Sequence, residues 1–157
     1  MKHLYVTALI ALFLTSPLAP TVAFAQDTPP EPETVAEAPA PLIQEAGDTE
    51  LSDFKWAARV LVIFADSPLD PSFSDQIALL ENRPDALWER DVVVLTDTDP
   101  DARSPIRTAL RPRGFALVIV DKDGRVMLRK PAPWNVREIT RAIDKTPLRQ
   151  QELESGR

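Results

Sequence analysis

The chain contains no cysteine, and its only histidine is His3. Without a thiol there is no dithiol redox couple and no cysteine nucleophile. Without an imidazole beyond residue 3, the commonest general base is missing. With both gone, the usual zinc and copper ligands are gone as well. A lipid anchor carried on an N-terminal cysteine is excluded for the same reason. Long apolar runs are also lacking. The most extended is Leu4 to Leu14, interrupted only by Thr7, which is too short for a comfortable membrane span.

That run nevertheless has a meaning. Lys2 and His3 give it a basic start, Pro17 and Pro20 follow it, and Ala23-Phe24-Ala25 forms a small-x-small cleavage site. The pattern is that of a secretory signal peptide over residues 1–25. No twin arginine precedes it. Export by the general secretory route to a periplasmic or extracellular setting is therefore expected, with no membrane span left after cleavage. Residues 26–50, "QDTPPEPETVAEAPAPLIQEAGDTE", hold five prolines and seven acidic residues and no basic one. Such a stretch buries too little apolar surface to offset its ordering entropy, so a disordered acidic linker is expected there. The linker accounts for the charge. The whole chain carries −6, whereas residues 51–157 hold 17 acidic and 17 basic residues. A formally neutral domain lacks the basic footprint of nucleic-acid binding.

From Leu51 onward the pattern alternates. Val60 to Ala65 and Val92 to Leu95 are continuous apolar runs, as for strands buried on both faces. Between them, Asp70-Pro71 opens a helix with Phe73, Ile77 and Leu80 on its core face, and Pro84 restarts it. Leu87 and Trp88 continue the apolar side. Ser104-Pro105 starts a short helix to about Leu110. Phe115 to Val120 and Val126 to Lys130 are strands joined by the tight turn Asp121 to Gly124. Asn135 with Glu138 resembles a capping box, and Val136, Ile139 and Ile143 face the core of the last helix. Thr146-Pro147 ends that helix, and a polar tail is expected after it. Trp56, Trp88 and Trp134 are expected in or at the edge of the core.

The order is β-α-β-α-β-β-α. A right-handed crossover makes the first two strands parallel, and the tight turn makes the last two antiparallel. The expected fold is α/β and thioredoxin-like in its minimal form, a four-stranded mixed sheet with helices on both faces.

The segments "FKWAARVLVIFA", "DQIALL", "ERDVVVL", "GFALVIVDKDGRVMLR" and "ITRAIDKTPLRQQEL", in that order, resemble the domain of unknown function 4174 family. The resemblance spans roughly Leu51 to Leu153. It implies a domain similar to peroxiredoxins and thioredoxins, found in exported bacterial proteins and in animal extracellular proteins. It implies no established reaction. Catalytic thioredoxins carry their dithiol loop after the first strand and a cis-proline before the third. Here those places hold "ADSPLDP" and Gly114.

Three groups of residues are candidates for function. Asp66, Ser67 and Asp70 occupy the position of the redox loop. Asp97, Asp99 and Asp101 would lie at the same sheet edge and could gather a divalent cation. Their spacing is that of a calcium loop, but Ala102 stands where the sharp-turn glycine belongs and Thr108 where the closing glutamate belongs. Arg103, Arg107 and Arg111, spaced by four with Arg113 following, would align on a helix face as an anion or partner site. Ser67 as a nucleophile has no histidine to activate it. Taken together, the sequence implies an exported, redox-inactive binding module for a protein or envelope component, with no cofactor. The alternative is a divalent-cation-dependent enzyme or sensor using the edge carboxylates. The purified chain is expected to reduce insulin disulfides, or consume peroxide, no faster than buffer alone. Turnover above that rate contradicts the thiol argument.

Overall fold

The computed structural model of the chain describes residues 42–156. The expected signal peptide and residues 26–41 of the expected linker lie outside this range. Five strands form one mixed sheet: β1 (Ile43–Glu45), β2 (Arg59–Phe64), β3 (Val92–Asp97), β4 (Ala116–Val120) and β5 (Val126–Lys130). Their order is β1-β3-β2-β4-β5. β3 runs parallel to both β1 and β2, while β4 is antiparallel to β2 and β5. The helices are α1 (Pro71–Glu81), α2 (Pro84–Trp88), α3 (Pro105–Leu110), α4 (Val136–Asp144) and α5 (Pro147–Glu154).

The four expected strands and their directions are present. β2 lies mid-sheet and every one of its residues is buried, which is why its sequence is a continuous apolar run without alternation. Its side chains divide between two cores. Leu61 and Ile63 meet Leu80, Leu87, Ile139 and Ile143 from α1, α2 and α4 on one face. Val60, Val62 and Phe64 meet Ile106 and Leu110 from α3 on the other. Asp70 caps α1, its Oδ1 accepting from the N–H of Ser72 at 2.8 Å and of Phe73 at 3.4 Å. Gly124 closes the β4–β5 turn with φ +87°. The Asn135–Glu138 box closes side chain to side chain. Asn135 Oδ1 accepts from the Glu138 N–H, and its amide donates to Glu138 Oε2.

Three expectations are corrected. The linker was expected to reach residue 50, but residues 42–50 belong to the domain. β1 adds an edge to the sheet, with the Val94 N–H donating to the Leu42 carbonyl and the Ala46 N–H to the Thr96 carbonyl. A proline- and glutamate-rich window hides the apolar pair Leu42-Ile43, and backbone pairing with β3 stabilises what composition alone would not. Secondly, Trp56 and Trp88 are exposed, and only Trp134 packs against the core.

Thirdly, the polar tail is the helix α5. Thr146 caps it and Pro147 opens it, the same signals that end α4. No α5 residue joins either apolar core, so apolar periodicity could not announce it. Charge holds it instead. Arg59 is fully buried at the start of β2. Its NH1 donates to the Arg90 carbonyl at 3.0 Å, and its guanidinium forks onto Glu152 at 3.1 Å on each arm. Arg59 Nε lies 2.9 Å from Asp121 Oδ1. Glu152 also receives Lys122 at 3.0 Å and Arg149 at 3.1 Å.

Burial opposes the charge on Glu152. The hydrogen bonds from Arg59, Lys122 and Arg149 outweigh it and lower the pKa from 4.5 to about 2. A depressed carboxylate pKa stabilises the fold above the unfolded value. That stability is lost as pH falls from about 4.5 towards about 2. Glu152→Gln is expected to cost about 3 kcal/mol in urea unfolding at pH 7. The variant should also flatten the stability profile over that acid range. An unchanged midpoint contradicts the assignment.

Candidate functional site

At the C-terminal end of β2 the chain leaves the sheet through "ADSPLDP". Ser67 pins this loop at two points. Its Oγ accepts from the Leu69 N–H at 3.1 Å, and its carbonyl accepts from the Asp70 N–H at 3.2 Å. Asp70 then caps α1. The hydroxyl and the second carboxylate are thus occupied in closing a turn, and Pro68 and Pro71 stiffen it. Leu69 is left at the tip, 86% exposed. Asp66 points into solvent beside Gly114, where an added Cβ would stand 3.9 Å from Asp66 Oδ2. Gly114 takes φ +61° just before β4. The loop after β2 and the residue before β4 therefore meet here, an aspartate against a glycine.

Beneath the loop lies an ion lock. Asp97, the last residue of β3, is buried. Arg107 from α3 donates to Asp97 Oδ1 through Nε at 2.9 Å and NH2 at 2.7 Å. Its NH2 also reaches the carbonyls of Asp97 at 2.9 Å and Ala65 at 2.8 Å. The Ser104 hydroxyl donates to Asp97 Oδ2 at 2.5 Å and accepts from the Arg107 N–H at 3.0 Å. The guanidinium carbon sits 5.3 Å from the Phe64 ring centroid. NH1 faces Asp66 Oδ1 at 3.7 Å. One side chain thus ties together the ends of β2 and β3, the first turn of α3 and the loop.

This geometry breaks up two of the expected sites. Asp97, Asp99 and Asp101 do not gather. Asp97 is taken by Arg107 and Ser104, and Asp99 Oδ1 accepts from the N–H of Asp101 at 3.0 Å and of Ala102 at 3.4 Å. Among the described residues no three potential metal ligands converge. A guanidinium where the cation would sit repels one. The arginine row fails because α3 is too short. It spans Pro105–Leu110, so Arg103 precedes it and Arg111 follows it, with left-handed φ of 51° and 48°. Only Arg107 is on the helix, and it turns inward, while Arg103, Arg111 and Arg113 stay exposed. Sequence reasoning named both Asp97 and Arg107 but placed them in different sites. They are ten residues apart and share no short-range spacing rule.

A cavity of about 470 Å³ adjoins the loop, lined by Glu45, Asp48, Pro68, Phe73, Thr98 and Arg103 among others. Its β1 side exists only because residues 42–50 join the domain.

The profile of a family described as a domain of unknown function (DUF4174) matches residues 50–152. No curated protein matches the chain. Among solved structures, the reduced desulfothioredoxin of Desulfovibrio vulgaris Hildenborough is 18% identical, with a TM-score of 0.50 over 66% of this chain and 96% of that one. The reduced 2-Cys peroxiredoxin of Plasmodium vivax is 21% identical, with a TM-score of 0.48 over 66% and 84%. The exposed lipoprotein thioredoxin of Streptococcus pneumoniae strain TIGR4 is 18% identical, with a TM-score of 0.46 over 61% and 90%. The likeness to desulfothioredoxin shows a thioredoxin-like fold.

Removing one partner of the lock leaves the other buried and unpaired. Arg107→Ala is expected to lower stability by roughly 3 kcal/mol in denaturant unfolding. Exposed Arg113→Ala should stay within about 0.5 kcal/mol of the parent. Equal effects of the two contradict the lock.

Proposed function

The chain belongs to the DUF4174 family, and from that premise we propose that it is an exported, thiol-independent binding module whose contact surface is the loop Asp66–Asp70. The observation that carries this reading is Leu69. A large apolar side chain stands 86% exposed on a turn that Ser67, Asp70 and two prolines hold in one conformation. A single exposed leucine is ordinary on a flexible surface. On a rigid turn beside a cavity it offers an anchor with little ordering entropy left to lose on binding. The Ser67 hydroxyl and the Asp70 carboxylate are occupied in the turn itself, which favours recognition over reaction. Export rests on the N-terminal segment and its cleavage pattern. The partner is a protein or envelope component that offers an apolar pocket to Leu69.

With a photo-crosslinking residue at position 69, the full chain in cell-envelope material is expected to give a discrete adduct. The same residue at exposed position 137 on α4 should not. The same adducts at both positions, or none at position 69, would reject the loop as the contact surface.

A further inference from the structure

The opposite end of the sheet carries a second cleft, and it stands independently of the loop. It has a volume of about 490 Å³, with Met127 and Leu128 of β5 and Leu148 of α5 among its apolar lining. Trp56 forms one wall and Asp123 belongs to the rim. We propose that this cleft binds a basic–apolar peptide segment, a Lys or Arg side chain lying over the Trp56 ring against the Asp123 carboxylate.

Trp56 is unfavourable twice over. Its backbone is left-handed, with φ +65°, a conformation that suits glycine and strains a bulky residue. Its ring is 65% exposed. Its backbone N–H donates to the Lys122 carbonyl at 2.7 Å. A glycine would make the same bond without strain or exposure. The indole is therefore kept for something outside the fold. Phe64 has Arg107 above it at 5.3 Å, and Trp134 has Lys130 at 4.7 Å. No such cation covers Trp56 among the described residues.

The nearby carboxylates point to a cation as the missing partner. Asp121 is committed to buried Arg59 at 2.9 Å. Asp123 is not committed in the same way. Its Oδ1 accepts from the Arg125 N–H at 2.9 Å within the turn, while its Oδ2 meets Arg125 Nε at 3.5 Å, and the Arg125 side chain is 88% exposed. Such a pair is weak and easily displaced. An exposed indole face, an available carboxylate and an aliphatic floor together suit a cationic side chain with an apolar neighbour. Among the described residues β5 ends the sheet, so an extended segment can lie along that edge.

The test is calorimetric titration of the full chain with acetyl-Leu-Lys-Leu-amide, and with the norleucine and glutamate versions of that peptide. Saturable binding of the lysine peptide is expected, weakened about tenfold or more by either replacement. Trp56→Ala and Asp123→Asn should each weaken it about tenfold, and Leu69→Asp at the other end should not. Trp56→Gly should abolish binding while keeping or raising the melting temperature. The proposal is overturned by any of four results. These are no saturation at millimolar peptide, equal binding of the norleucine peptide, self-association of the protein through Trp56, or a fall in melting temperature in Trp56→Gly, which would make the indole structural.

Discussion

A buried guanidinium holds this domain together. Arg59 opens the mid-sheet strand and has no access to water. Leaving a charge unpaired in that position is strongly destabilising. The matching groups come from the end of β4, the segment before β3 and the last helix: Asp121, the Arg90 carbonyl and Glu152. The final turns of the chain are therefore a structural requirement, although they bring nothing to either apolar core. At the far end of the same strand, Arg107 repeats the arrangement with Asp97 and the Ala65 carbonyl. From Val60 to Phe64 β2 is apolar, and a guanidinium closes it at each end.

The second closure bears on function. At the C-terminal ends of β2 and β3 an ion lock lies below the loop and a pinned turn closes it above. The lock and the turn fix the shape of the loop, with Leu69 standing out from it. The proposed contact surface rests on that fixed turn and on the exposure of Leu69. The other end of the sheet differs in kind. Trp56 is held there at a cost in backbone strain and exposure that packing does not explain.

The fold was largely legible because its signals are local. Apolar runs marked β2 to β5, and Asp70-Pro71, Ser104-Pro105 and Asn135 marked helix starts. β1 was missed because Leu42-Ile43 sits in a linker-like composition and depends on pairing with β3. α5 was missed because its inward face is Arg149 and Glu152 rather than leucine. The site was half legible. The loop after β2 and Gly114 before β4 were each named, but their meeting was not read from the sequence. The Asp97–Arg107 pairing was not, since it joins the end of a strand to a helix ten residues on. Helical spacing counted from Arg103 assumed a helix longer than α3 turned out to be.

A buried Asp97–Arg107 ion pair at the ends of β2 and β3 holds the loop above it in place. A double-mutant cycle on Asp97→Asn and Arg107→Gln, read by urea unfolding, tests it most directly. The claim predicts a coupling free energy of about 2 kcal/mol or more. Single variants that add to within about 0.5 kcal/mol would contradict it.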